Sequence, residues 1–261
     1  MSILKQLVPG FVKERYADVK KRLDNLELAV RCLEAAVDGF IVTPRYVSGE
    51  EASFNGQVQR KRIFADLISA ISFDTIVETG TWLGNTTGYM AEQSRRPVYS
   101  CEVNRRFHAL AKLRLADLKG IHLEPGDSRK LLQKLAASGE VGQKRVFFYL
   151  DAHWYDDLPL AEEIEIIATR WSGYVIMIDD FKVPDDPGYT YDDYGNGKTL
   201  ELGLIQAAIS KHNLSVFYPA APASEETGAR RGCVVLAPKG ELAEKLAQVK
   251  SLRKEKAVKT A

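Results

Sequence analysis

Cysteine is scarce: Cys32, Cys101 and Cys233 are the only three in 261 residues, and no two stand at metal-ligand spacing. That excludes a disulfide-built scaffold and a zinc finger, and it points to reduced thiols in a reducing compartment. Long apolar runs are also missing. The longest, such as "VFFYL" and "YVIMI", hold about five residues, against roughly 20 for a membrane helix. The opening "MSILKQLVPGFVKERY" lacks a signal peptide's apolar core, so the expected location is the cytoplasm. Neither sign of charge is in excess: 36 Lys and Arg face 35 Asp and Glu, for a formal net charge of +1. Nucleic acid and membrane surfaces are therefore not expected partners. Two phosphate-binding signatures are absent as well, the full G-x-x-x-x-G-K-S/T loop and G-x-G-x-x-G.

What remains is an ordinary globular composition, 45% apolar and 27% charged. Residues 1–38 carry a helical apolar spacing through Leu4, Leu7, Val8, Phe11 and Val12, then Val19, Leu23, Leu26, Val30, Leu33 and Val37. This segment reads either as an appendage or as a helix through which two copies form a homo-oligomer. From residue 57 strands alternate with helices. Strands are expected at 75–79, 98–102, 121–124, 146–150 and 174–178. Helices are expected at 57–71, 86–94, 105–118, 128–137, 159–170 and 199–211. Alternation of this kind predicts a parallel sheet with helices on both faces. The strands at 214–218 and 232–237 have only a loop between them, so they should pair antiparallel. The expected divisions are an N-terminal helical segment with a closing loop (1–56), an α/β domain (57–239) and a charged helical tail (240–261).

Acids stand at the end of each of the first five strands. Glu78 leads "ETGTWLG", with Gly80, Thr81, Gly84 and Thr86 in and after the turn. Glu102 ends the second strand, and Asp127 and Ser128 follow the third. Asp151, then His153 and Trp154, follow the fourth, and Asp179 and Asp180 follow the fifth. Ligands of open parallel sheets bind outside these carboxyl ends. One acid there is a common helix cap, but five in equivalent places point to a ligand. An acid-first loop without phosphate signatures suits a cationic ligand carrying a ribose. Glu102, 22 residues after Gly80, is placed to accept the ribose hydroxyls, and Asp127 an adenine amino group. S-adenosylmethionine meets this description.

Residues 73–237 resemble the class I S-adenosylmethionine-dependent methyltransferases, which implies a Rossmann-like seven-stranded sheet whose last strand is antiparallel. "LDAHW" followed by "IDDF" resembles the metal-dependent O-methyltransferases, the catechol type and the bacterial sugar O-methyltransferases. That resemblance implies a divalent cation, Mg2+ or else Mn2+ or Ca2+, held by Asp151, Asp179 and Asp180. It also implies a small or sugar-containing acceptor hydroxyl. "FNGQVQR", 54–60, resembles the segment of that family that closes over the cofactor. Trp154 stands where the catechol type carries a lysine, a departure that bears on proton transfer. It walls the cofactor or is core. His153 can be the general base, a metal ligand or a partner of adenine. The loop "VPDDPGYTYDDYGNG", 183–197, carries three tyrosines and four aspartates and suits a polyhydroxylated substrate, or is a solvated surface loop. Arg230 and Arg231 meet an acidic group of the substrate or pair with Glu225 and Glu226.

Overall fold

The computed structural model describes residues 15–16, 18–27, 29–30, 52–139, 141–153 and 157–255. The chain divides into two compact units, 1–44 and 45–261. In the first, the described residues are helical, and the apolar stripe Tyr16, Val19, Leu23, Leu26 and Val30 is exposed along it. Leu33 and Val37, Cys32 and Trp154 lie outside the described residues. No helix among the described residues is long and apolar enough to cross a membrane.

Among the described residues the second unit opens with a short 3-10 turn, Ser53–Gly56. Its elements then run α1 (Val58–Ala70), β1 (Thr75–Thr79), α2 (Asn85–Ser94), β2 (Val98–Glu102), α3 (Arg105–Arg114), β3 (Ile121–Pro125), α4 (Ser128–Ala137), β4 (Val146–Leu150), α5 (Leu160–Arg170) and β5 (Tyr174–Ile178). After these come α6 (Leu202–His212), β6 (Leu214–Pro219), β7 (Val234–Pro238), α7 (Glu241–Leu246) and β8 (Leu252–Lys254). The sheet order is β3-β2-β1-β4-β5-β7-β6-β8. Strands β1 to β5 pair parallel, and β7 runs antiparallel between β5 and β6.

Continuous apolar strands are expected where both faces of a sheet are covered, and β4 and β5 are buried at every position. Alternate residues feed two cores. Phe148, Tyr174, Ile176 and Ile178 pack with Leu131, Leu132, Ile164 and Ile167 of α4 and α5. Phe147, Tyr149, Val175 and Met177 pack on the other face with Ile63, Phe64 and Leu67 of α1 and with Tyr89 and Met90 of α2.

The tail differs from its expected helical form. Among its described residues only Glu241–Leu246 is helical, and Leu252–Lys254 adds an eighth strand antiparallel to β6. Leu242, Leu246, Val249 and Leu252 are buried. The segment is apolar on one side and covers what would otherwise be an open sheet edge.

Strand order reverses between β1 and β4, which makes the carboxyl ends of these two strands the switch point where such sheets bind ligands. The two ends approach closely. Gly80 adopts φ +88°, and a Cβ there would lie 2.3 Å from the Asp151 carbonyl oxygen, so only glycine fits the turn. Asp151 N–H donates to the Thr79 carbonyl at 2.9 Å.

Candidate active site

Around β1 and β2 the predicted residues assemble as a folded loop. Gly80 and Thr81 N–H groups donate to the Cys101 carbonyl at 3.0 and 3.1 Å. Glu102 accepts from Trp82 N–H and Asn104 N–H, each at 2.8 Å, one on each carboxylate oxygen. These amides hold the carboxylate in one orientation at the strand end. Glu78 points to the α2 side of the sheet, where the Thr87 and Ser100 hydroxyls donate to its Oε2 at 2.5 and 2.6 Å. Burial pushes its pKa up to about 7, against the pull of those two hydroxyls. Thr81 Oγ1 meets the Ser100 hydroxyl at 2.5 Å. Thr86, at the start of α2, accepts the Phe54 N–H at 3.0 Å. That bond ties the 54–60 segment to the glycine turn, and the Phe54 ring fills the space between Phe64, Tyr89 and Tyr149.

Asp127 is a helix cap. Its side chain accepts the Arg129 N–H at 2.9 Å, and the Arg129 guanidinium engages both of its oxygens while also reaching Asp157 and Glu162. Arg129 holds the Asp127 carboxyl below its ordinary range. For this acid the capping role that the five-acid pattern set aside is the one observed. Beneath it lies a residue the sequence reading missed, Glu163 of α5, which is 1% exposed. Its Oε1 has no hydrogen-bond partner among the described residues. Burial pushes this carboxyl up to about 7, offset in part by the Ser128 and Thr79 hydroxyls.

The ends of β4 and β5 do not bring together the three aspartates expected as metal ligands. Asp179 continues the Val175–Met177 face of β5, toward α1. There it forms a fully buried ion pair with Arg60, accepts the Tyr149 hydroxyl and receives the Asp180 N–H at 2.7 Å. Burial alone would raise this carboxyl, and the Arg60 charge overrides that and holds it below its ordinary value. Arg60 also donates to the Arg231 and Gly232 carbonyls at 2.6 and 2.9 Å. The signal for Arg60 was present in the sequence, since it stands three, four and seven residues before Ile63, Phe64 and Leu67 on the apolar face of α1.

The donors that do converge are Asp151, His153 and Asp180, whose ligand atoms lie within 4.8 Å of one another. Asp180 adopts φ +51°, which turns its carboxylate out of the strand line into the cleft. The His153 side chain is 2% exposed and its Nε2 lies 3.8 Å from Asp151 Oδ1. Neither His153 Nε2 nor Asp180 Oδ1 has a hydrogen-bond partner among the described residues. Burial lowers the pKa of His153. Asp151 sits deep in the cleft with a third of its side chain open. Desolvation and then the charges of Asp179, Asp180 and Glu78 push it well above the carboxylate range. Asp180 is pushed up to about 8, by burial first and Asp179 second.

The tyrosine-rich loop folds over this cluster. Tyr194 donates to Asp192 at 2.5 Å and to the His153 carbonyl at 3.3 Å. Arg231 pairs with Asp192 at 2.6 Å and approaches Asp180 at 3.4 Å, so it does not pair with Glu225 or Glu226. Glu226 instead accepts the Gln59 and Arg60 N–H groups at the start of α1, and the Arg230 side chain donates to the Glu226 carbonyl.

Among solved structures, the chain resembles an O-methyltransferase from Bacillus cereus in complex with S-adenosylhomocysteine. The TM-score is 0.51 at 18% identity, over 69% of this chain and 81% of that one. It also resembles the O-methyltransferase TomG from Streptomyces achromogenes, with a TM-score of 0.47 at 16% identity over 69% and 80%. No family model and no curated protein matches the chain. The first likeness shows a shared α/β fold.

Two expected outcomes follow from the buried charges. Asp179→Asn leaves Arg60 buried without a counter-charge and should cost about 3–5 kcal/mol of stability. Pairing it with Arg60→Met should recover part of the loss in urea unfolding. A single-variant cost near zero would show that the pair does not hold α1 on the sheet. Glu163→Gln tests the raised carboxyl. Between pH 4.5 and about 7 the folded protein holds a proton that the unfolded chain releases. Wild-type stability therefore falls as pH rises through that window, by up to about 3 kcal/mol. Glutamine does not titrate, so the variant should gain on the wild type by that amount over the same window. A pH-independent difference between the two would refute the assignment.

Proposed function

We propose that the chain is an S-adenosylmethionine-dependent O-methyltransferase that uses a divalent cation to methylate a hydroxyl of a small or glycosidic substrate. The observation that carries this reading is the pair of buried, unpartnered atoms His153 Nε2 and Asp180 Oδ1 beside Asp151. They lie at the ends of β4 and β5, next to the switch point of a methyltransferase fold. Buried polar atoms are ordinarily satisfied, and clustered acids with raised pKa values are neutralised by a bound cation. The residues present therefore fit a metal ion.

When bound there, a divalent cation lowers the pKa of a coordinated hydroxyl and offsets the charge that develops on its oxygen. The chain's own groups do the rest. Glu102, oriented by two amides, accepts the ribose hydroxyls. Glu78 places a buried carboxyl, held by the Thr87 and Ser100 hydroxyls, beneath the glycine turn, where a cationic methyl donor would favour its ionised form. Asp151, with a third of its side chain open, lies where it would help hold the cation and orient the attacking hydroxyl. The loop of Asp192 and Tyr194 closes the substrate side and offers hydrogen-bonding groups to a polyhydroxylated acceptor. Asp127 is occupied by Arg129, so recognition of the adenine falls to neighbouring groups such as Ser128.

A second reading is favoured by one contact. Arg231 lies 3.4 Å from Asp180 and would supply the positive charge in a metal-independent methyltransferase, with His153 as the base. Chelator treatment separates the two readings. The metal reading expects turnover on a hydroxylated acceptor to vanish and to return with excess divalent cation, whereas turnover that survives full chelation selects the Arg231 reading. Cofactor binding is tested apart from turnover. Glu102→Ala should weaken S-adenosylmethionine binding by about 1.5–3 kcal/mol in calorimetry, and an unchanged affinity would remove Glu102 from the ribose site.

A further inference from the structure

We infer that the cation site is a mixed nitrogen–oxygen site built from Asp151, His153 and Asp180, with the imidazole as a direct ligand and Asp179 excluded, and that it selects a first-row transition ion over magnesium. The inference rests on the metal-assisted reading above and departs from the all-carboxylate set that the sequence resemblance implies.

The exclusion of Asp179 comes from its bonding. One oxygen takes the Arg60 guanidinium and the Asp180 N–H, and the other takes the Tyr149 hydroxyl. To reach a cation in the cleft the carboxylate would have to abandon a fully buried arginine. Asp179 continues the face of Val175 and Met177 and is taken up there by Arg60 and Tyr149. Only the left-handed backbone of Asp180 brings the second acid of "DD" into the cleft.

The inclusion of His153 comes from its isolation. Its Nε2 is buried and unbonded, and it lies 3.8 Å from Asp151 Oδ1. One ion about 2.1 Å from each donor spans about 4.2 Å, which the Asp151–His153 pair meets, and Asp180 lies within 4.8 Å of both. Arg231 Nε lies 3.4 Å from Asp180 Oδ1 and does not satisfy that oxygen among the described residues. A nitrogen donor changes which ions are preferred. Imidazole suits zinc, iron, cobalt and nickel, whereas magnesium prefers oxygen donors in near-octahedral order.

The test uses the full chain freed of metal, with Co2+, Mg2+ and Mn2+ as probes in the absence of cofactor and substrate. Titration calorimetry gives the affinities, and electron spin-echo modulation of bound Mn2+ reports directly on a nitrogen ligand. The expected result is a nitrogen coupling in the wild type that shifts on selective 15N-histidine labelling and is lost in His153→Gln. Co2+ affinity should fall at least about tenfold in that variant, with Mg2+ affinity changing by less than about threefold. The labelling experiment decides the point even if the variant fails to fold. Mn2+ bound without nitrogen coupling overturns the inference, as does an unchanged Co2+ affinity in a folded His153→Gln. Failure to bind any of the three ions overturns it together with the metal-assisted reading. A separate S-adenosylmethionine titration tells whether the methyltransferase reading also falls, because that binding needs no metal.

Discussion

One buried ion pair sets the terms for everything around it. Arg60 and Asp179 are each about 1% exposed at the side chain, and two charges taken out of water are costly unless every remaining donor and acceptor is met. Here they are met almost completely. The guanidinium also reaches the Arg231 and Gly232 carbonyls, and the carboxylate also takes the Tyr149 hydroxyl and the Asp180 N–H. The pair thereby joins α1, β4, β5 and the segment before β7. The start of α1 is fixed in register by the same neighbourhood. Glu226 accepts two of its first N–H groups, and Gln57 exchanges hydrogen bonds with the Arg231 backbone. A helix whose propensity is unremarkable is held by these few polar contacts and the apolar face of Ile63, Phe64 and Leu67.

The pair also determines what the neighbouring acids can do. Asp179 stays ionised because Arg60 faces it, and its charge then falls on Asp151 and Asp180, whose pKa values rise. A site that concentrates carboxylates and gives only one of them a full counter-ion is electrostatically incomplete. Arg231 supplies part of the remaining charge but divides itself between Asp192 and Asp180. This imbalance distinguishes the ends of β4 and β5 from the β3 end, where Arg129 satisfies Asp127 and the acid is an ordinary cap. Five acids at five strand ends are therefore not one feature. Glu102 is oriented by amides, Glu78 is buried under hydroxyls, Asp127 caps a helix, Asp179 is paired, and Asp151 with Asp180 has no full counter-ion among the described residues.

Much of this was legible in the residues. The strands at 75–79, 98–102, 146–150 and 174–178 appear at those bounds, because short apolar runs closed by an acid or a glycine leave little freedom in where a buried parallel strand ends. The antiparallel placement of β7 followed from a connection too short for a crossover. The eighth strand was hidden because three residues carry no periodicity, and an edge partner is a property of the sheet. The three acids expected as one ligand set separate for a more instructive reason. "DD" after a buried strand looks like two equivalent acids, yet strand alternation sends them to opposite faces. The alternation was visible in "YVIMIDD", and so was the lone arginine on the apolar face of α1. What the sequence did not show is that the two would meet across the sheet.

The geometry of Asp180 is the last link. A non-glycine residue at φ +51° carries strain on the order of 1–3 kcal/mol, and such strain persists only where the surroundings over-determine it. Here the Asp180 N–H is held by the Asp179 carboxylate, which is itself held by Arg60, and the Asp180 carbonyl accepts the Asp192 N–H at 3.0 Å. The strained turn is thus fixed from the helix side by a charge-assisted bond and from the loop side by the backbone of the tyrosine-rich segment. Its effect is to aim the Asp180 carboxylate at Asp151 and His153. The ion pair that removes Asp179 from the site is, through this one amide, also what places Asp180 in it. The stability of α1 on the sheet and the aim of the candidate ligand are therefore not separable by mutation at Arg60.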